Sequence, residues 1–297
     1  MAVVGPTASA KSEVAMGLAE RMGAEIISVD SMQVYRGMDI GVAKPSKEMQ
    51  ALVRHHLIDL VEPHENFTVA EFQGRARRLI ASSTVPLIVC GGSGLHFRAV
   101  VDPYSFPPHH PRIRSALDRL APAVARSRLL EADPDAGSHL DLHNHRRVAR
   151  ALEVLSLSGR TPSQQAEESR RLQVQGYEPL IPFRAVGLDP GEHVGARVAD
   201  RLAVMRREGL LEEVAGLAGR MGATASQAVG YRQLLAVVRG EITEEEGFRK
   251  TERATLGLVK RQRTFFRRDP RIRWLPWSQD PDERLAMAWE AFSGVVT

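Results

Sequence analysis

The 297-residue sequence has a single cysteine, Cys90, and no long apolar run. One cysteine excludes an intramolecular disulfide, and no cysteine or histidine spacing matches a zinc site. No run approaches the ~20 apolar residues that a membrane-spanning helix needs. The N-terminus passes from Ala2–Val4 into a glycine turn without the pattern of a signal peptide. We therefore expect a cytoplasmic protein that does not associate with membranes.

Lysine is also scarce, because only 5 of the 40 basic residues are lysine and the other 35 are arginine. The formal net charge is +4 and 43% of the residues are hydrophobic, a composition that is typical of globular proteins and excludes disordered and fibrous ones. Coding bias explains an excess of arginine. Lys11, Lys44 and Lys260, however, lie within the motifs described below, which suggests positions where a compact ammonium is not readily replaced by a guanidinium.

Short β-rich runs alternate with helical patterns over the first hundred residues, which predicts a parallel α/β sheet. A proline-rich break at 107–111 is followed by charged helical segments. The strand-like run Phe183–Leu188 then returns to the sheet. We expect a catalytic core formed by residues 1–110 and 185–297, with a helical insertion domain at 111–184.

The segment 249–273 is strongly basic, with ten Lys or Arg residues and two acids, so its net charge is +8 and the rest of the chain nets −4. On a helix, Arg253, Lys260 and Arg267 would share one side at a spacing of seven residues, and apolar residues would form a stripe on another. A basic face of this kind is typical of proteins that bind a polyanion. A solvated surface helix is the alternative.

Residues 5–12 lie between a predicted strand and a predicted helix, which is the context of a phosphate-binding P-loop. Backbone N–H groups and the helix N-terminus of such a loop bind anions, its lysine reaches phosphate oxygens, and its hydroxyl binds Mg²⁺. Alanine replaces the glycine of the strict pattern at position 10. It fits if that residue has already entered the helical conformation, but its methyl group approaches the phosphates more closely than glycine would. A plain strand-to-helix turn is the alternative. The loop comprises Gly5, Pro6, Thr7, Ala8, Ser9, Ala10, Lys11 and Ser12.

The apolar run 25–29 predicts a buried strand that delivers Asp30 to the carboxyl edge of the sheet, where α/β proteins bind ligands. A carboxylate at that edge is the best candidate for a general base. A helix cap and an outer-shell Mg²⁺ ligand are the alternative roles for Asp30.

Seven stretches that span nearly the whole chain carry a family resemblance: GPTASAKS (5–12), SVDSMQVYRGMDIGVAKP (28–45), HHLIDLVEP (55–63), VCGGSGLHFRA (89–99), RRVARALEV (146–154), AVGYRQLL (228–235) and KRQRTFFRR (260–268). In these stretches the chain resembles the tRNA dimethylallyltransferases, also called tRNA isopentenyltransferases. The resemblance implies an α/β fold with a P-loop nucleoside-triphosphatase-like parallel sheet core. It also implies transfer of a dimethylallyl group from dimethylallyl diphosphate to the exocyclic N6 amine of the adenosine 3′-adjacent to the anticodon in tRNA, which forms N6-isopentenyladenosine.

The resemblance implies a role for each residue near the P-loop. The loop would hold a diphosphate leaving group and not ATP, with Lys11 and a Mg²⁺ ion on Ser12 stabilising the charge that develops on its oxygens. Thr7 would donate a hydrogen bond to a diphosphate oxygen, and Arg201 matches a family arginine associated with the diphosphate. Asp30 matches the family base, which accepts the proton of the adenine amine as the N–C bond forms.

The expected partner is the tRNA anticodon stem-loop, gripped by the helical insertion, with no obligate protein partner. The adenosine must leave its stack to reach Asp30, so polar groups are expected around it. By resemblance or by their place on the basic face, the residues expected to contact tRNA are Asp30, Ser31, Met32, Gln33, Ser93, Arg114, Arg146, Arg147, Val148, Ala149, Arg150, Lys260, Arg261, Arg267 and Arg268.

Two other functions are compatible with a P-loop α/β core. One is a small-molecule kinase or an isopentenyltransferase that acts on a free adenine nucleotide, although neither has an obvious need for the basic segment or the insertion. The other is a tRNA-binding protein without activity, whose P-loop has decayed at Ala10. Phosphoryl transfer would favour the kinase, and diphosphate binding without turnover would favour the binding protein.

Overall fold

The computed structural model, which describes residues 1–167 and 173–293, contains a six-stranded sheet in which all neighbouring strands are parallel. The strand order is β3-β2-β4-β1-β5-β6, so β1 lies near the centre between β4 and β5. The α/β parallel sheet predicted from the sequence is confirmed. The strands are β1 Ala2–Val4, β2 Glu25–Ser28, β3 His55–His56, β4 Leu87–Gly91, β5 Ala185–Gly187 and β6 Ile272–Trp274.

Local sequence signals account for where the main helices begin. Thr68 forms a capping box with Glu71 at the start of α3, and Thr243 caps α12, whose first turn holds three glutamates that favour its positive end. In chain order the α-helices are α1 Lys11–Met22, α2 Lys47–Leu52, α3 Val69–Ser82, α4 Gly94–Val101, α5 Pro111–Asp118, α6 Pro122–Ala132, α7 His145–Ser158, α8 Pro162–Ala166, α9 Val194–Arg207, α10 Leu210–Leu217, α11 Tyr231–Val238, α12 Glu244–Arg267 and α13 Pro281–Ser293.

The sheet has a core on each face, because successive strand residues point to opposite sides. Ala2 and Val4 pack into one cluster together with residues of α3, α4, α10, α11 and α12. Val3 packs into the other, with residues of α1 and α13. Burial on both faces explains why the central strands β1, β4 and β5 are nearly continuous apolar runs.

The chain divides into two compact units, Met1–Val101 with Ile181–Thr297, and Asp102–Leu180. The sequence placed these boundaries nine residues later at the first junction and four later at the second. The difference has a local cause, because the Ile181 N–H donates to the Val101 carbonyl at 3.1 Å and joins the returning chain to the end of α4. Within the second unit, α6 and α7 enclose a small core around Leu129 and Val148.

Among the residues described, no helix is both long enough and apolar enough to cross a membrane.

Candidate active site

A cavity of about 310 Å³ opens at the carboxyl edge of the sheet in the first unit. Thr7 of the P-loop, Asp30 after β2, Ser93 after β4 and Arg201 on α9 line it, so the structure brings together side chains from distant parts of the sequence. A second cavity of about 260 Å³ on the P-loop side is lined by Lys11 and Ser12 and shares Thr7, Asp30 and Arg201 with the first. The predicted phosphate-binding and base residues therefore border one continuous region.

The P-loop backbone is left-handed at two of its alanines. Ala8 and Ala10 both have positive φ, 65° and 59°, and Ala10 is the left-handed residue immediately before α1. Ala10 has therefore not entered the right-handed helical conformation, which was the condition under which alanine would fit at this position without strain. Gly5 is required for another reason: a Cβ atom at this position would lie 2.3 Å from the Leu188 carbonyl oxygen.

Two side chains that the sequence did not single out hold the P-loop in place. The Thr7 N–H donates to Gln262 Oε1 at 2.8 Å, and Arg197 Nε donates to the Ala8 carbonyl at 2.7 Å. Lys11 Nζ donates to the Pro6 carbonyl at 3.2 Å within the loop itself. Gln262 belongs to the stretch KRQRTFFRR that carried part of the resemblance, and its spacing from the P-loop gave no sign of this contact.

The cations of the site are electrostatically suited to an anion. Burial is the main cause that lowers the pKa of Lys11 and the pKa of Arg201, and the Asp30 carboxylate acts in the opposite direction on both. Burial also raises the pKa of the neighbouring Cys90 thiol to about 11, so that this cysteine is neutral at physiological pH. An anion bound here would offset the partial desolvation of Lys11 and Arg201, both of which are half-buried.

Asp30 is oriented by its own turn. Its Oδ1 accepts the Met32 N–H at 2.8 Å, and its carboxylate lines both cavities. The alternative role as a helix cap is wrong, because the next helix, α2, begins at Lys47.

Gln33, expected to contact tRNA, is engaged inside the protein. Its Oε1 accepts the Ser28 hydroxyl at 2.7 Å, and its Nε2 donates to the carbonyls of Val42 and Ala43 at 3.1 and 3.0 Å. The side chain therefore ties the loop after β2 to the strand. Ser31 and Met32, in contrast, line the 310 Å³ cavity.

Ser93 also lines the cavity and shares a 2.7 Å hydrogen bond with His96 Nδ1. His96 lies edge-on to the ring of Phe72, with the ring centroids 4.8 Å apart. Burial lowers the pKa of His96, so its imidazole is neutral at pH 7.

The predicted basic helix is α12, and its cations have different surroundings. Lys260, Arg261 and, just after the end of the helix, Arg268 are exposed, and Arg261 also lines the cavity. Arg267 is half-exposed but donates to Asp189 at 3.3 Å and stacks on the Trp274 ring at 4.1 Å.

Asp189 itself is bound chiefly by Arg263, in a bidentate pair of 2.8 and 2.7 Å. Although burial acts to raise the pKa of Asp189, the hydrogen bonds from Arg263 and the Gly191 N–H hold it below the ordinary value. This ion pair joins α12 to the end of β5.

In the second unit, four of the predicted arginines line a pocket of about 720 Å³: Arg114, Arg146, Arg147 and Arg150. Two of them also have internal partners. Arg150 donates to the buried Glu153 at 2.7 Å, and Arg114 pairs with Asp118 at 2.8 Å. Arg146 and Arg147 are exposed at the first turn of α7.

The neighbouring positions 148 and 149 correct the expectation. Val148 is 1% exposed and Ala149 is 0% exposed, because α7 turns these two residues into the core of the second unit while Arg146 and Arg147 face outwards. Their side chains cannot reach an RNA.

Comparison with known proteins identifies one family. A family model described as IPP transferase matches residues 33–269. The tRNA dimethylallyltransferase of Moorella thermoacetica is 43% identical to this chain over 300 residues, covering 95% of this chain and 90% of its own. The same-named protein of Streptomyces avermitilis is 40% identical over 287 residues, covering 93% and 89%.

Solved structures agree with the sequence relatives. The tRNA isopentenylpyrophosphate transferase of Bacillus halodurans is 31% identical and superposes with a TM-score of 0.70, over 99% of this chain and 95% of that one. A eukaryotic dimethylallyltransferase that acts on tRNA is 21% identical and shares the fold, with a TM-score of 0.76 over 99% of this chain and 79% of its own.

Proposed function

The chain belongs to the IPP transferase family, that of the tRNA dimethylallyltransferases, and from this premise we propose that it prenylates tRNA in the cavity at the carboxyl edge of its sheet. It transfers a dimethylallyl group to the exocyclic N6 amine of the adenosine 3′-adjacent to the anticodon. The observation that carries the proposal is the shared border of the two cavities, where Thr7, Asp30 and Arg201 meet. An anion site and a proton acceptor lie there side by side.

We propose dimethylallyl diphosphate as the donor. The P-loop N–H groups, Lys11 and Arg201 bind its diphosphate and stabilise the negative charge that grows on the oxygens as the bond to the allylic carbon breaks. Both cations are half-buried, so that stabilisation is stronger than it would be in water. Pyrophosphate leaves with the electron pair of the broken bond.

Asp30 accepts the proton from the adenine amine, which is the acceptor of the prenyl group. The adenine amine is a poor nucleophile, so its nitrogen forms the new N–C bond as the carboxylate accepts the proton that the amine loses. The Met32 N–H fixes one carboxylate oxygen at 2.8 Å, which holds the group in orientation before the substrates bind. To reach Asp30, the adenosine must be turned out of the anticodon stack.

The Ser12 hydroxyl at the first turn of α1 suits a Mg²⁺ ion, which prefers hard oxygen ligands. In the part of the chain that the structure describes, no group of three or more His, Cys, Asp or Glu side chains could hold a metal by itself. Ser12 would therefore share the ion with diphosphate oxygens and water, a common arrangement for Mg²⁺ in phosphate sites. When bound, Mg²⁺ supplies positive charge to the departing pyrophosphate.

For tRNA, we propose contacts from the exposed cations of both units, each taken separately. The exposed cations are Lys260 on α12, Arg268 just after its end, and Arg146 and Arg147 on α7. They can pair with RNA phosphates. Arg261 lines the cavity and so lies closer to the reacting groups.

The deciding experiment incubates the purified protein with tRNA, Mg²⁺ and dimethylallyl diphosphate, digests the RNA and weighs the nucleosides. We expect adenosine at the position after the anticodon to gain one dimethylallyl group. Phosphoryl transfer from ATP without prenylation would support a kinase, and prenylation of free AMP in preference to tRNA would support a free-nucleotide transferase. Pyrophosphate binding without any transfer would support a binding protein.

A further inference from the structure

One carboxylate on α10 accepts four hydrogen bonds near the cavity. Glu213 Oε2 accepts the N–H groups of Asp39 and Ile40 at 2.9 and 2.8 Å, and Oε1 accepts the Gly41 N–H at 3.2 Å and the Tyr231 hydroxyl at 2.5 Å. Three consecutive backbone N–H groups directed at one anion resemble the nests that proteins use to bind anionic ligands. Here the anion is a side chain of the protein, separated from Gly41 by 172 positions in the chain.

The segment that Glu213 holds, residues 39–43, is called the wall loop below. Gly41 packs against the Tyr231 ring so closely that a Cβ atom would lie 2.5 Å from it. Gln33 binds the carbonyls of the last two residues of the loop. The wall loop is therefore fixed through its N–H groups by Glu213 and through its carbonyls by Gln33.

The wall loop borders the place where the two cavities meet. Gly41 and Val42 line the 310 Å³ cavity, and Val42 also lines the cavity on the P-loop side. Apolar side chains of α9 and α10, Leu202, Met205 and Leu210, line the first cavity together with the loop. In the proposed reaction the allylic carbon lies between the P-loop and Asp30, at the border of the two cavities, and Val42 lines both cavities at that border.

We propose that Glu213 is a positioning residue that, by holding the wall loop, sets the width of the cavity beside the prenyl group and thereby the length of the prenyl donor that the enzyme accepts. This inference rests on the proposed function. Glu213 itself contacts the loop and Tyr231 and takes no part in bond making or breaking.

Glu213→Gln tests the inference because it preserves size and removes the charge. One oxygen becomes an NH₂ group, which donates and so opposes the donors of the loop or of Tyr231. Released from this contact, the wall loop widens the cavity. We expect the ratio of kcat/KM for geranyl diphosphate to that for dimethylallyl diphosphate to rise at least about fivefold, within the range that pocket shape contributes to selectivity. Affinity for inorganic pyrophosphate should stay unchanged, because the P-loop does not contact Glu213.

Glu212→Gln is the matched control, since it makes the same charge change one residue away on an exposed side chain of the same helix. It should keep the wild-type ratio. Tyr231→Phe removes one of the four hydrogen-bond donors to Glu213. It should also raise the ratio of kcat/KM for geranyl diphosphate to that for dimethylallyl diphosphate, but by less than Glu213→Gln does. If Glu213→Gln does not fold, the Tyr231→Phe ratio decides: a raised ratio supports the inference and a wild-type ratio overturns it.

A folded Glu213→Gln protein that binds pyrophosphate like the wild type and keeps the wild-type donor ratio overturns the inference and leaves the proposed function intact. Wild-type protein that transfers no prenyl group to tRNA overturns the proposed function, and this inference with it.

Discussion

Ala10 is strained by its position, since a residue with a Cβ atom has a left-handed backbone there, with φ of 59°. Glycine adopts this conformation without that cost. We expect Ala10→Gly to increase the free energy of unfolding by up to ~1 kcal/mol. The substitution relieves the strain of a left-handed alanine in the folded state, and the greater conformational freedom of glycine in the unfolded chain offsets part of that gain. Urea denaturation with a common m-value measures the change.

The control is Ala199→Gly, at an exposed position inside α9. There glycine should lower the free energy of unfolding by ~0.5–1 kcal/mol. Equal decreases in both variants would show that position 10 behaves as ordinary helix. Ala10→Gly should also bind pyrophosphate more tightly than the wild type if the Ala10 methyl group crowds the diphosphate.

Asp30→Asn keeps the shape of the site and removes its proton acceptor. The asparagine carbonyl can still accept the Met32 N–H that orients Asp30. We expect tRNA and donor affinities within a few-fold of wild type and turnover lower by ~10²–10⁴, as is typical when a general base is removed. Single-turnover transfer to tRNA measures the step directly. Turnover close to wild type would exclude Asp30 as the base.

At the scale of single elements, the loop between β2 and β3 depends on one buried lysine. The Lys44 side chain is 3% exposed, and its ammonium donates to Asp39 at 2.5 Å, to Asp59 at 2.7 Å and to the Tyr35 carbonyl at 2.9 Å. Three oxygens around one compact cation explain why lysine persists here in a protein rich in arginine.

Lys44→Arg should therefore be far from conservative. The larger, planar guanidinium overpacks the space between the two aspartates, and we expect the free energy of unfolding to fall by ~1–3 kcal/mol. Lys47→Arg is the control, because Lys47 is exposed at the first turn of α2 and its replacement should change stability by less than ~0.5 kcal/mol. Thermal and urea unfolding of the two variants would test this, and equal stabilities would contradict it.

Elements with strong local signals were predictable from the sequence. Helix α3 is such an element, since a capping box marks its first turn and its apolar residues recur with the spacing of one helix face. The strands β3 and β6, of two and three residues, have too few positions to show a period. The burial of Val148 and Ala149 depends on the phase of α7, which the matched motif does not reveal.

Site residues were predictable where a single sequence motif contains them. They were not predictable where the fold brings together residues that are far apart in the chain. Lys11 and Ser12 follow from the strand-turn-helix context of the P-loop, and Asp30 follows from the buried apolar strand that precedes it. Gln262, which holds the P-loop, and Glu213, which holds the wall loop, act across long separations in the chain, and no local pattern records a contact of that kind. The backbone conformation of Ala10 was not predictable, because the pattern gives a residue type and not its backbone angles.

At the scale of the whole molecule, the uneven distribution of charge along the chain distinguishes between the possible functions. The segment 249–273 has a net charge of +8 while the rest of the chain is negative. A kinase or a free-nucleotide transferase has no obvious need for this asymmetry, whereas a protein that binds tRNA gains affinity from it, in a way that depends on salt. The salt dependence of tRNA binding is therefore informative about the function.

The structure distinguishes which cations on α12 and at its C-terminal end are available to RNA. Lys260 and Arg268 are exposed, so the double variant Lys260→Gln, Arg268→Gln should reduce the magnitude of the log–log salt slope by ~0.7–0.9 for each phosphate ion pair that it removes. Arg267→Gln is the comparison: it removes the ion pair with Asp189 and the stacking on Trp274 and should lower stability with a smaller change in slope. Arg261 lines the cavity, so its replacement should raise the KM for the prenyl donor if it reaches the diphosphate. A double variant with the wild-type slope would show that this face of α12 is only solvated.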